Sequence, residues 1–470
     1  MRPKAHFRSV LAMTATVIWL VAIGGAQASI TTTDDWYCVG QGLTIAPAAP
    51  GVLGNDTGPG TMNAVLVSGP WHGTLNLSAD GSFTYSSDVS FLGEDSFVYR
   101  AVDGGEHSEP ATVRLVSVKA GSTDAYIVVA AGSLHTSVIR SEGTVWSWGS
   151  NAWGQLGNSS GAIGFTYPVR ATGLAGVTAV SAGAEHTVAL RNDGTAWCWG
   201  ANTHGQLGNN STTSMNYPVQ VTGLAGITAV DAGSEYTVAL RNDGTVWTWG
   251  QNNYGQLGIG NTTSSSIPVQ VTTLTGVIAV SAGGQHTLAL KNDGTVWAWG
   301  RNDSGQLGNN STANSSVPVL VDTISGMTAI CAGISHSTAL KADGTVRTWG
   351  DNDMGQIGDG GYSDVLTPYQ VAGITGASAV TAGLGHTVVR MSDGTIRAWG
   401  DNQYGQLGTG DYDSTGTPVT PTTISSVASV CAGSNHTVAL KTDGTVWCWG
   451  SNQERQLANR AVYSNGYAAA

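Results

Sequence analysis

Six histidines, His135, His186, His286, His336, His386 and His436, occupy one recurring position of this 470-residue chain, and Tyr236 stands there in the remaining copy. So many imidazoles invite a metal centre. Their spacing argues against one, because copies about fifty residues apart fall on separate structural units, and tyrosine is a poor stand-in for imidazole at zinc. The expectation is a hydrogen bond repeated within each unit. Two carboxylates, Glu185 and Glu235, also fall at equivalent points of adjacent copies. Carboxylates at a suitable separation perform acid–base work on glycosidic bonds, whereas in simple turns they are solvated charge. The five cysteines are Cys38, Cys198, Cys331, Cys431 and Cys448. No CxxC spacing points to zinc or a redox pair, so the last four read as small buried fillers. A Cys431–Cys448 bridge inside one unit stays open.

These residues sit in a sentence repeated seven times. Its Trp-Gly ends at Gly149, Gly200, Gly250, Gly300, Gly350, Gly400 and Gly450. A fixed period of this length marks a repeat architecture. In one copy Ile227–Asp231 alternates apolar and polar residues, Ala232-Gly-Ser-Glu turns, and Thr237–Leu240 forms a second strand. Asn242-Asp-Gly244 is a tight hairpin turn, and Thr245–Trp249 is a third strand with both tryptophans on one face. Pro268-Val-Gln-Val271 opens a fourth. Four antiparallel strands per repeat define a propeller blade. Residues 126–458 are therefore expected to form a seven-bladed β-propeller. One blade would be assembled from both ends of the array, with Thr445–Trp449 joining Ile127–Ile139, and 459–470 would remain as a C-terminal tail.

The repeated Asn and Gln of Trp-Gly-x-Asn-x-x-Gly-Gln-Leu-Gly read as side chains that satisfy turn backbone. The second Trp of each pair never varies and is expected between blades. The first becomes Arg347 and Arg397 in two copies, which marks it as partly exposed. Following strand direction, the Ala-Gly-x-x turns and the long Ser/Thr/Asn excursions share one rim, and the near-identical Asp-Gly turns lie on the other. On the variable rim the residue before Gly-Gln-Leu-Gly reads Trp153, His204, Tyr254, Ser304, Met354 and Tyr404, and the turns add Glu185 and Glu235. Exposed aromatics on rigid turns are what protein-binding surfaces use. The candidate partner-binding set is Trp153, His204, Tyr254, Met354, Tyr404, Glu185 and Glu235.

Residues 33–118 have a different texture. Gly51–Asp56, Ala64–Leu75, Asp80–Tyr85 and Gly93–Tyr99 alternate between Gly and Asp turns, which suits a small β-sandwich. Asp34, Asp35, Asp56, Asp95 and Asp103 are hard oxygen donors suited to calcium, and equally ordinary turn residues. Before them, Arg2, Lys4 and Arg8, an apolar run from Val10 to Ile23, and Ala26-Gln-Ala28 compose a signal peptide over 1–28. No later apolar stretch is long enough for a membrane span. The net charge of −12 with 19 Lys+Arg argues against nucleic acid and anionic membrane as partners.

The wording Ala-Gly-x-x-His-Thr, Asp-Gly-Thr-Val-Trp and Trp-Gly-x-Asn-x-x-Gly-Gln-Leu-Gly resembles the regulator of chromosome condensation repeat family. The phrases of 33–118 resemble bacterial cadherin-like, Ig-like modules. The resemblance implies an all-β chain: a seven-bladed β-propeller preceded by a small Ig-like β-sandwich. The repeat family includes a nuclear exchange factor for the GTPase Ran and exported bacterial propellers that inhibit β-lactamases through aromatic residues on propeller turns. It thus transfers the fold and leaves function open. The reading favoured is an exported, non-enzymatic binding protein, secreted, periplasmic or at the cell surface, for an unknown protein or cell-surface ligand and without a cofactor other than a possible calcium. A glycan-binding or glycan-cleaving propeller is the alternative, and nucleotide exchange on a GTPase a remote one.

Overall fold

The computed structural model describes residues 30, 32, 35–40, 44–54, 56–88, 93–118, 126–421, 424–458 and 464–469. The signal peptide expected over 1–28, and Asp34, lie outside them. The chain divides into two compact units, Met1–Ser122 and Thr123–Ala470. Among the described residues no helix is long and apolar enough to cross a membrane.

The first unit contains β1 (Asp35–Gly40), β2 (Thr44–Ile45), β3 (Asn63–Ser68), β4 (Gly73–Leu77), β5 (Phe83–Ser87), β6 (Gly93–Asp103), β7 (Glu106–His107) and β8 (Ala111–Val118). They form a five-stranded sheet, β1-β8-β6-β3 with β7 on β6, and a three-stranded sheet β2-β5-β4. Alternation drives the burial: Phe83 and Tyr85 point inward from β5 and Phe97, Tyr99 and Ala101 from β6, making one core shared by both sheets. Phe83 and Phe97 meet edge to face at 5.3 Å. The phrase Gly51–Asp56, read from sequence as strand, is instead a 3₁₀ turn over Gly51–Leu53 that drops Val52 and Leu53 into this core.

The second unit is a propeller of consecutive four-stranded antiparallel sheets. The first is β9 (Tyr126–Ala131), β10 (His135–Arg140), β11 (Val145–Ser150) and β12 (Gly164–Arg170). The last runs through Val427–Ala432, His436–Lys441, Val446–Ser451 and Ser464–Ala469. Of nine sheets among the described residues, seven have four strands and belong to this unit. The other two are those of the first unit, so the sheet total exceeds the seven expected from the repeats.

Each four-stranded sheet is built from one continuous stretch. No sheet mixes the two chain ends, so the expected split blade does not form. Ser464–Ala469, placed in the tail by sequence, pairs with Val446–Ser451 as the missing fourth strand. The ends of the array meet face to face instead. Val129, Val138 and Trp148 pack with Val438, Leu440, Cys448 and Leu457 in one core, and the Cys431 thiol donates to the Val129 carbonyl at 2.9 Å. Cys431 and Cys448 are both free, so the bridge between them is absent.

The second strand of every sheet is almost wholly buried, as in His186–Arg191, because neighbouring sheets cover both of its faces. The fourth strand pairs on one side only. That tolerates Pro268, which lies inside Ser265–Gln270 rather than at its start and falls in the register skip between the Thr248–Val269 and Gly250–Ser265 pairs. In the Asp-Gly hairpins the carboxylate caps the turn: Asp193 Oδ1 accepts the Thr195 N–H at 3.0 Å and its hydroxyl at 2.6 Å, which lowers the Asp193 pKa.

The recurring histidine joins neighbouring sheets rather than bonding within one, correcting the sequence expectation. His186 Nε2 lies 3.0 Å from the hydroxyl of Thr237 in the next sheet, and that hydroxyl donates to the Gln206 carbonyl. The same link joins His135 to Thr187, His286 to Ser337, His336 to Thr387 and His386 to Thr437. His436 to Thr136 closes the circuit between the last sheet and the first. Tyr236 substitutes by donating to the His286 carbonyl. The imidazole fits because the adjacent turn residue is glycine: a Cβ on Gly183 would lie 2.6 Å from His186.

Since each Thr or Ser hydrogen is committed to a carbonyl, Nε2 must donate, and Nδ1 of each of the six imidazoles is buried without a partner. A proton there would be a buried unpaired charge. Burial accordingly pushes His135, His286, His336, His386 and His436 down to about 3 and His186 to about 4. Folded pKa values below the unfolded value of about 6.5 mean that the unfolded chain binds more protons in mild acid. Stability is then full above about pH 6.5 and is lost as pH falls toward the folded values. With six such groups the slope approaches about 8 kcal/mol per pH unit near pH 5. Denaturant titrations of the full chain at pH 7, 6 and 5 are expected to show this loss, and replacing one histidine by glutamine should reduce the proton uptake by one.

Candidate partner-binding rim

The rim is built by two buried amides per repeat. In the third repeat sheet, Asn252 Oδ1 accepts the Leu257 N–H at 2.9 Å, and its Nδ2 donates to the Asn261 and Thr263 carbonyls. Gln256 Oε1 accepts the Tyr254 N–H at 3.0 Å. The same Gln bond holds the backbone of Trp153, His204, Ser304, Met354, Tyr404 and Glu454. The repeated Asn and Gln thus fix a backbone position whose side chain is free to differ. The invariant indole completes the frame: Trp249 Nε1 donates to the Gln206 carbonyl of the preceding sheet. The glycine after it is required, since Gly250 has φ +105° and a Cβ there would lie 2.7 Å from the Glu235 carbonyl.

Four of the rim residues, Trp153, His204, Tyr254 and Met354, meet the next sheet. The Trp153 indole lies beside Glu185, whose pKa burial pushes up, the neighbouring indole N–H opposes and the Glu235 charge raises further. His204 Nε2 lies 3.5 Å from Glu235 Oε2. Glu235 also accepts from Gln251, and Gln251 in turn accepts from Gln256. Tyr254 stacks beneath Arg301, 5.3 Å from ring centroid to guanidinium, and Arg301 is held by Gln285 and Asp303. Met354 packs beside Gly385. Trp153 is 43% exposed and Met354 38%. His204, Tyr254, Tyr404, Glu185 and Glu235 are half-buried.

Sequence reasoning passed over Arg301, the one cation at a repeat position otherwise filled by Ser150, Ala201, Gln251, Asp351, Asp401 and Ser451. It also passed over Ile163, Tyr362, Leu384 and Tyr412, all exposed. Only their position in the variable excursions and turns could have flagged them.

The first strands and their turns enclose a central cavity of about 260 Å³ lined by every sheet. Asp231 projects into it and accepts from the Ser181 and Ser281 hydroxyls and the Ala232 and Ala282 N–H groups. Burial pushes its carboxyl up against those four bonds. Cys331 and Cys431 occupy the matching position, lining the cavity rather than filling the core, while Cys198 and Cys448 are buried.

Among the described residues the calcium candidates do not form a group within reach of one ion. Asp95 is buried and saturated by the Trp71, His72 and Ser96 N–H groups and the Tyr85 hydroxyl, so it is a scaffold acceptor. Asp56 accepts from the Tyr99 hydroxyl, Asp103 lies against Gly60, and Asp35 belongs to β1. Among the described residues the one carboxylate trio within reach of a shared ion is Asp351, Asp353 and Asp364.

Residues 51–377, more than half of the chain, match the RCC1-like domain. The chain belongs to the RCC1-like domain family. Regulator of chromosome condensation (RCC1) repeats match 377–406 and 427–456 as well. RCC1 domain-containing protein RUG3, mitochondrial, of Arabidopsis thaliana is 33% identical over 111 residues, 23% of this chain and 23% of that protein. Human probable E3 ubiquitin-protein ligase HERC4 is 34% identical over 89 residues, 19% of this chain and 8% of that protein. The chain therefore spans less than a quarter of these curated relatives. Two solved structures share the fold. Human WBSCR16 has a TM-score of 0.61 at 24% identity, covering 70% of this chain and 88% of that one. Saccharomyces cerevisiae Prp20p, described with its binding to Gsp1p and histones, has 0.63 at 21%, covering 74% and 87%.

If the buried glutamine fixes the rim of this RCC1-like domain, Gln256→Met should strand the Tyr254 N–H and the Gln251 amide oxygen. A loss of about 2 kcal/mol in denaturant melts is expected, with faster hydrogen exchange at the Tyr254 amide and little change at Leu288.

Proposed function

We propose that this chain is an exported, non-enzymatic binding protein. In this reading the seven four-stranded sheets are the blades of one closed ring, and the rim bearing Trp153, His204, Tyr254, Met354 and Tyr404 recognises a protein partner. The first unit serves as a cadherin-like, Ig-like spacer, and the mature protein is secreted, periplasmic or at the cell surface. The observation that carries the reading is the uniform glutamine brace beneath a non-uniform set of side chains. A frame repeated without change, presenting a different residue from each blade, is the arrangement expected of a recognition surface and has no use in a purely structural ring. Protein binding described for the similar Prp20p supports the same class of function.

The glycan-cleaving alternative would use Glu185 as acid, its raised pKa being suitable, and Glu235 as base. Their partners disfavour it. Trp153 sits beside Glu185, and Gln251 and His204 engage Glu235, so both carboxylates already have partners in the rim. Nucleotide exchange is disfavoured by the export reading, which separates the chain from cytosolic GTPases.

Capture with the mature protein followed by mass spectrometry should identify the partner. Trp153→Ala combined with Tyr254→Ala should then weaken binding by about 2 kcal/mol or more, the scale of an aromatic hot spot. Asn242→Ala with Asn292→Ala, on the Asp-Gly rim, should leave affinity nearly unchanged. Loss confined to the Asn variants would place recognition on the opposite rim.

A further inference from the structure

The two rims differ in how their charge is balanced. On the hairpin rim the aspartates carry nearby cations: Arg191–Asp193 at 2.9 Å, Arg241–Asp243 at 3.4 Å, Lys291–Asp293 at 3.4 Å, Lys341–Asp343 at 3.2 Å and Lys441–Asp443 at 3.7 Å. On the variable rim the excursions of the fifth and sixth blades, residues 351–364 and 401–414, contain seven aspartates and no lysine or arginine. Arg301 borders them, already engaged by Asp303 and Gln285. Arg397 borders a cleft on the outer flank that Asp359 also lines. Asp353, Asp364, Asp411 and Asp413 are exposed, and no ion pair reaches them among the described residues.

This charge surrounds apolar surface. Met354 is 38% exposed, Leu384 41%, Tyr412 53% and Tyr362 56%. The sector is continuous across the blade boundary. A Cβ on Gly385, next to Leu384, would lie 3.2 Å from both Met354 Cγ and Asp401 Cβ. The Gly360 N–H donates to the Gly416 carbonyl at 2.8 Å, joining the fifth-blade excursion to the sixth-blade fourth strand. Exposed apolar groups inside unpaired like charge oppose compact self-association and favour a partner of the opposite sign.

We infer that this sector docks a cationic amphipathic polypeptide segment, in which lysine or arginine faces the aspartates while apolar side chains cover Met354, Leu384 and the two tyrosines. The inference rests on the rim-recognition reading and narrows it to one partner chemistry and two blades. Binding should be fast and salt-sensitive, since the charges are exposed and screened within about 10 Å at 0.1 M salt.

The test uses the full chain and a designed amphipathic Lys/Leu peptide, with the Glu/Leu peptide of the same pattern as control, measured by fluorescence anisotropy. Substituting Asp353, Asp364, Asp411 and Asp413 by Asn keeps side-chain shape. This variant should weaken Lys/Leu binding roughly tenfold and flatten its salt dependence. Substituting Asp193, Asp243, Asp293 and Asp343 by Asn removes the same formal charge from the other rim and should leave binding within roughly twofold. M354A with L384S, which retains every charge, should also weaken it. Equal losses in the two charge variants would reduce the effect to net charge and overturn the inference. Equal binding of the Glu/Leu peptide, or no binding of Lys/Leu, would do the same. Unchanged peptide binding by the rim charge variant, beside impaired partner capture by W153A/Y254A, would leave rim recognition standing and overturn this inference alone.

Discussion

The propeller depends on a hydrogen bond that no single repeat can make for itself. Each imidazole donates to a hydroxyl of the next sheet, and that hydroxyl donates back to the carbonyl of a glutamine in the sheet before. The invariant indole donates to the same carbonyl. One backbone oxygen therefore takes two donors from the following sheet, at a depth where no water competes. The bond needs a neighbouring sheet, and the link from His436 to Thr136 makes the last sheet bond the first as any neighbour would. Closure without a shared strand follows. With the hydrogen-bonded circuit and the core of Val129, Trp148, Val438 and Leu457 joining the ends, no mixed sheet is needed to seal them.

The same glutamine gives the rim its character. Its carbonyl is spent on the scaffold, and its side-chain oxygen is spent on the N–H two residues earlier. The residue at that point is locked in backbone and unconstrained in side chain. Trp153, His204, Tyr254 and Met354 then each lean on the following sheet, by an indole beside a carboxylate, an imidazole–carboxylate contact, a stacked guanidinium and a glycine contact respectively. Side chains held on both sides lose little entropy on binding. That gives physical content to the idea that a rigid ring presents a recognition surface.

Much of this was legible in the sequence because the repeat exposes its own grammar. The period, the Asp-Gly hairpins and the two tryptophans on one face specify three strands per copy. The invariance of the second Trp against Arg347 and Arg397 in place of the first anticipates which indole is buried. The failures have equally particular causes. The split blade was inferred because Ser464–Ala469 lacks the Pro-Val-x-Val wording of other fourth strands, and pairing at an outer edge needs only backbone. The histidine was assigned within its sheet because its partner lies about fifty residues away, a separation that periodicity alone cannot turn into contact. Asp95, one of the calcium candidates, looks like a turn aspartate in sequence, whereas folding surrounds it with three N–H groups and a tyrosine hydroxyl.

Asymmetry carries what remains of function. Where the hairpin rim repeats, it repeats with its charge compensated: an aspartate caps the turn, and in most copies a lysine or arginine pairs with it. Such a surface is nearly the same on every blade and has no preferred side. The excursions obey no such rule. The first three blades offer an indole, an imidazole and a phenol linked to two glutamates and an arginine, and the fifth and sixth offer methionine, leucine and tyrosines among uncompensated aspartates. A frame that imposes identical backbone at every blade leaves these side chains free to differ, so a partner that distinguishes one blade from another can do so only there. Their concentration on one rim, beside near-identity on the other, is the strongest physical reason to look for the partner there.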